Sequence, residues 1–168
     1  SGGLLVKNPR SLLDNQPLRD LLQEKINFET INHNIYSGAL YALIVTAASY
    51  EKKESVSFFT TNTKVENWKK VGRSGKKSEI NVEHLMASVA LPLIFPAITI
   101  DGQYYGDGAM RQETPLSPTI RLGASKLLII STESSKDNNK DHSDKNYPDY
   151  SKIGGYILDG LFSGSLYS

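Results

Sequence analysis

The sequence predicts an α/β fold. In some segments apolar residues recur at helical spacing, in others they form continuous runs with β-branched members, and the two kinds alternate along the chain. The 168 residues, 39% hydrophobic and 22% charged, suffice for one domain with a sizeable core.

The elements follow in order. Residues 11–26 carry Leu12, Leu13, Leu18, Leu21, Leu22 and Ile26 at helical spacing, and Asp14-Asn15-Gln16-Pro17 is a helix-start signal. Residues 39–49 are almost uninterruptedly apolar, which predicts a strand buried on both faces, as in a mostly parallel sheet. Glu51-Lys-Lys-Glu54 reads as a turn and residues 55–61 as the next strand, a candidate hairpin partner. Residues 62–80 are rich in Lys, Asn, Gly and Ser, and Trp68 and Val71 are their main apolar members, so a loop is expected. A helix over 81–91 is capped by Asn81, has Glu83 in its first turn and is ended by Pro92 and Pro96. Residues 97–100 and 103–105 read as two short strands around an Asp101-Gly102 turn. Pro115 and Pro118 bracket the start of a short helix reaching Leu122, with Gly123 as its C-terminal cap. Residues 126–131 predict a compact strand, 133–149 a flexible polar loop and 150–168 a C-terminal helix.

Bulk charge excludes little but is informative. Lys+Arg is 19 and Asp+Glu 18, a formal net charge of +1, which gives no footprint for nucleic acid and no broad basic face. The chain has no cysteine, so disulfides, thiolate catalysis and Cys-ligated zinc are excluded. No His/Asp/Glu cluster has metal-ligand spacing, and no metal is expected. No apolar run is long enough to span a bilayer, and Ser1-Gly-Gly-Leu-Leu-Val-Lys7 is not patterned as a signal peptide. The expected location is cytoplasmic or peripheral to a membrane.

The chemically informative stretch runs from His84 to Ile130. It contains Ala87-Ser88-Val-Ala-Leu91-Pro92-Leu-Ile-Phe95-Pro96, then Tyr104-Tyr-Gly106-Asp107-Gly108-Ala109, then Pro115-Leu-Ser-Pro118, Leu122-Gly-Ala124 and Leu127-Leu-Ile-Ile130. This ordered series resembles the C-terminal half of the patatin-like phospholipase family, and Ser11-Leu-Leu-Asp-Asn-Gln-Pro17 is similar to the family's segment before its central strands. The resemblance covers residues 10–132. It implies a three-layer α/β/α fold, with residues 1–132 forming the C-terminal portion of the hydrolase domain.

The resemblance also implies a Ser-Asp dyad in which Asp107 contacts the serine directly as base. A serine hydroxyl is a weak nucleophile until a neighbouring base activates it. Gly106 and Gly108 let the backbone turn sharply beside that carboxylate, and Ala109 adds little bulk. Asp107-Gly108 taken alone reads as a β-turn with an Asx hydrogen bond rather than as a catalytic residue, and Asp101-Gly102, the same dipeptide, is assigned to an ordinary turn. The serine would sit in a Gly-x-Ser-x-Gly elbow between strand and helix. Gly72-Arg-Ser74-Gly75 comes nearest, but its second glycine is one place early, and Gly160-Leu-Phe-Ser163 is spaced wrongly. The nucleophile and the glycine-rich oxyanion loop are therefore expected upstream of Ser1, in a longer protein of which this chain alone is inactive.

Other residues carry weaker readings. His33 and His142 lie in polar loops, and His84 reads as a partly satisfied core or surface histidine rather than a base. Leu91, Leu93 and Phe95 belong to an apolar segment that reads as core or as the lining of an acyl-chain groove. Trp68 with Lys69, Lys70, Lys76 and Lys77 reads as a solvated face or a membrane-facing loop. The function implied is hydrolysis of phospholipid or another acyl ester without a cofactor. The alternative is a non-catalytic lipid-binding or interaction module with the same fold. The expected partners are lipid, the N-terminal half of the same domain, and a second copy of the chain through an exposed sheet edge.

Overall fold

The computed structural model describes residues 11–111 and 116–130. The first ten residues, and the segments expected as a loop over 133–149 and a helix over 150–168, lie outside them. Four helices, α1 (Gln16–Lys25), α2 (Phe28–Tyr36), α3 (Val82–Ser88) and α4 (Ser117–Arg121), accompany six strands among the described residues. The strands are β1 (Ala42–Ser49), β2 (Glu54–Thr61), β3 (Trp68–Lys70), β4 (Arg73–Lys77), β5 (Ile98–Ile100) and β6 (Gln103–Asp107). They form one mixed sheet in the order β3-β4-β2-β1-β6-β5.

The α/β class holds, but the mostly parallel sheet does not. Only β2 and β4 are parallel; β1–β2, β1–β6, β3–β4 and β5–β6 are antiparallel. Short turns join β1 to β2, β3 to β4 and β5 to β6, and a short turn can only return a strand antiparallel. One face of the sheet carries Val45, Ala47, Val56, Phe58 and Tyr105, on which α3 packs through Met86 and Ala87. Leu18 and Leu22 of α1 and Phe28 of α2 close the margin of that core. On the other face, Thr119 and Leu122 at α4 meet Ala42 and Ile44 of β1 across a cleft of ≈ 430 Å³. Helices thus flank both faces.

β2 is buried at every residue although five of its eight residues are polar. Its hydroxyls find partners: Thr60 Oγ1 donates to the Ser78 carbonyl at 2.6 Å, and Thr61 Oγ1 to the Tyr41 carbonyl at 3.1 Å. Such pairing removes most of the cost of burying them.

Four expectations are corrected. The first helix begins at Gln16, not at residue 11; Pro17 sits in its first turn, where no N–H is needed, and residues 12–13 form a bend before it. Leu12 and Leu13 instead donate their N–H groups to the carbonyls of Leu93 and Ile94, at 2.9 and 2.8 Å. The helix over 81–91 stops at Ser88, before its prolines. The expected loop over 62–80 contains the β3–β4 hairpin. Trp68 lies across Gly75, which has no Cβ to obstruct it, and stacks on Phe59 at 4.9 Å, with Arg121 above it at 5.2 Å. Finally, residues 126–130 form no strand, and Leu128 and Ile130 are each 89% exposed. Four successive apolar residues with no sheet neighbour among the described residues lack the ladder that would make them a strand. α2, which the sequence reading left unassigned, is capped by Asn27, whose side chain accepts from Thr30 N at 2.9 Å.

Candidate active site

Asp107 ends β6, opposite Ala47 of β1, on the core-facing side of the sheet. Its backbone N–H donates to the Ala90 carbonyl at 2.9 Å, tying it to the segment that leaves α3. α3 is itself anchored at its N-terminal end. Asn81 caps it, accepting from Glu83 N at 3.0 Å, and Arg19 of α1 grips the Glu83 carboxylate with both terminal nitrogens. The position of Asp107 therefore depends on α1, α3 and β1 together.

Its two flanking glycines are there for space. A Cβ on Gly108 would overlap the Thr46 carbonyl, 2.8 Å from its carbon, and a Cβ on Gly106 would run into the Tyr50 phenol, 2.8 Å from Cζ. β6 can lie this close to β1 only with glycine at Gly108, whereas at Gly106 a side chain would have to displace the Tyr50 ring. Neither glycine has a positive φ, so close approach rather than a left-handed turn is the reason for both.

Asp107 Oδ1 accepts from Ala109 N at 2.8 Å, so the Asx hydrogen bond of the bland reading is present. Oδ2 has no hydrogen-bond partner among the described residues. Burial pushes the carboxyl above its ordinary value, and the Ala109 N–H opposes this only in part. No cation among the described residues faces it. Asp107 in turn helps to raise the Tyr50 hydroxyl, after burial, which is the larger cause. Tyr50 is the residue the sequence reading missed: it lies 57 positions upstream, in a turn, and only β1–β6 pairing brings it over Gly106. Chemically, Asp107 offers a half-buried carboxylate with one oxygen fixed and the other available to accept a proton.

The remaining candidates separate from this centre. Ala109 is exposed, and its backbone, not its side chain, holds Asp107. Leu91 and Phe95 are half-buried, whereas Leu93 is 70% exposed with φ +67. None of the three lines the cleft beside α4 or a second cleft, of ≈ 330 Å³, around His84 and Asp101. His84 is buried, with Nδ1 on the Asn81 cap, its ring edge-on to Phe58 at 4.7 Å and Nε2 unpaired. Burial lowers its pKa, as suits a neutral core histidine. His33 lies on α2, not in a loop, and His142 is outside the described residues. Ser74 donates to Glu54 at 2.9 Å on β4, on no strand-to-helix elbow.

No curated protein and no solved structure matches the chain. The family model described as patatin-like phospholipase matches residues 1–120, which include Asp107 and the strands and helix that hold it. The chain belongs to the patatin-like phospholipase family.

Proposed function

We propose that this chain supplies the catalytic base of a lipid acyl hydrolase, Asp107, working in a Ser-Asp dyad on phospholipid or another carboxylic ester. The observation that carries the reading is the Asp107 carboxylate: half-buried, raised above its usual range, with one oxygen held by Ala109 N and the other unpartnered among the described residues. A surface turn aspartate has no reason to combine these features. The serine comes from sequence upstream of Ser1. Its hydroxyl attacks the ester carbonyl while Asp107 accepts its proton, and upstream backbone N–H groups stabilise the oxyanion. Asp107 returns the proton to the leaving alcohol. It then deprotonates the water that hydrolyses the acyl-enzyme. The mechanism requires no cofactor.

The partner implied is the N-terminal part of the same domain, and the exposed run Leu127–Ile130 supports a further strand beside it. A second copy of the chain would compete for that run. No helix among the described residues is long and apolar enough to cross a membrane. The lipid substrate of the proposed reaction favours a location in the cytoplasm or at a membrane surface. The non-catalytic module reading is favoured only by the missing Gly-x-Ser-x-Gly elbow. A fluorophosphonate serine probe decides the first point: it should not label the 168-residue chain, and labelling would overturn the upstream-serine assignment. In the protein extended upstream, turnover of a p-nitrophenyl ester that Asp107→Asn leaves intact would sink the base assignment. Absence of any turnover in the extended wild type would favour the module.

A further inference from the structure

One end of the sheet gathers features that the net charge of +1 conceals. β1 ends and β2 begins around residues 50–53, and β3 turns into β4 at Val71-Gly72. The two turns are adjacent, because Ser55 lies opposite Arg73 and its N–H donates to the Gly72 carbonyl at 2.9 Å. The start of β6 joins them, with Tyr50 N donating to the Tyr104 carbonyl at 3.1 Å.

Lys52 and Lys53 on the first turn and Lys69 and Lys70 on the second are all exposed. Between the latter pair and Gly72, Val71 is 100% exposed. Tyr50 and Tyr104 present 40% and 53% of their surface at the same end. The acids here are turned to other work. Glu51 accepts from Tyr104 N at 3.0 and 3.2 Å, Glu54 is buried against Ser74, and Asp101 is paired with Lys76 at 2.5 Å.

We infer that this end of the sheet docks the protein on an anionic lipid surface, with Val71 entering the headgroup layer and the four lysines meeting the lipid charges around it. Each part has a physical reason. A lone valine at a hairpin tip gains nothing from water and gains transfer energy in a membrane interface. Lysines beside it add attraction to acidic headgroups, and tyrosines favour the boundary between headgroup and acyl chain. The patch also adjoins the candidate site, since the Tyr50 phenol lies over Gly106, next to Asp107. Docking this end would bring the carboxylate to the surface that holds the substrate. That purpose rests on the lipid-hydrolase reading; the contact itself does not.

The test is co-sedimentation of the chain with vesicles of phosphatidylcholine, with and without phosphatidylserine. Binding is expected only with phosphatidylserine and should fall as salt rises. Lys69→Glu should weaken it roughly 30-fold, for one attraction lost and one repulsion added. Lys126→Glu, the same charge change at the cleft beside α4, should have little effect. Val71→Asp should weaken binding even at low salt, and Val71→Trp should strengthen it. Equal losses for Lys69→Glu and Lys126→Glu would overturn the inference, as would retention on heparin without preference for anionic vesicles. Turnover of a soluble ester by the upstream-extended protein reads the hydrolase assignment separately, so either can fail while the other stands.

Discussion

β6 is bracketed by two Asp-Gly dipeptides, and they do opposite things. Asp101-Gly102 turns β5 into β6. Both residues have positive φ, +50 and +74, as a tight hairpin turn requires, and the Asp101 side chain is 67% exposed and paired with Lys76. That lysine holds the carboxyl below its ordinary value. Asp107-Gly108 ends the same strand six residues later. Neither residue has a positive φ, the carboxylate is half-buried with no cation beside it among the described residues, and its pKa moves up instead of down. The glycines differ likewise. Nothing occupies the space a Cβ would take on Gly102, whereas on Gly108 the Thr46 carbonyl occupies it. One dipeptide answers a conformational need and the other a need for close approach. Only the second leaves a half-buried carboxylate, the one proposed as the base.

The largest test of this contrast is catalytic. In the upstream-extended protein, Asp107→Asn should lower p-nitrophenyl ester turnover by about 10⁴-fold or more, while Asp101→Asn leaves it nearly unchanged. Comparable losses would erase the distinction. Next come the glycines. Gly108→Ala forces a methyl against a backbone carbonyl that cannot rotate away, and should cost about 3 kcal/mol in urea unfolding. Gly102→Ala meets no atoms and carries only left-handed strain, about 1 kcal/mol. A reversed order would show that φ, not space, governs both sites.

The pH dependence sharpens the comparison further. The base must be ionised, so the acid limb of the rate profile should lie above the ordinary carboxylate value of 3.8, and it should vanish from the residual activity of Asp107→Asn. Stability should respond with opposite signs. Asp107, raised on folding, contributes stability below pH 3.8 that is lost as pH rises through its folded pKa. Asp101, lowered on folding, contributes stability above pH 3.8 that is lost as pH falls through its folded pKa. At neutral pH, Asp107→Asn should therefore leave the thermal midpoint unchanged or raise it. Asp101→Asn should lower stability slightly, by about 0.5 kcal/mol, and salt should abolish the difference because the ion pair is exposed.

Much of this was legible beforehand, for identifiable reasons. The α3 cap at Asn81, the Asp101-Gly102 turn and the strands on either side of it rest on local chemistry, and local chemistry is written in neighbouring residues. The β3–β4 hairpin was not legible, because Trp68-Lys-Lys and Arg73-Ser-Gly-Lys-Lys are too polar to look like strands. What makes them strands is Phe59, nine residues before Trp68, and the absence of a side chain on Gly75. The run Leu127–Ile130 failed in the other direction: its composition predicts a strand, but a strand needs a neighbour to bond to.

By itself, then, the sequence determined the α/β class, the family and the identity of the one aspartate worth testing. It did so because ordered short motifs and hydrophobic periodicity survive without coordinates. Only the tertiary structure decided that the sheet is mixed, that polar β2 lies buried within it, and that Tyr50 reaches over Gly106. It also decided which Asp-Gly carboxylate is raised and which lowered. Burial, close backbone approach and the nearest opposite charge are properties of residues far apart in the chain, and no local pattern encodes them.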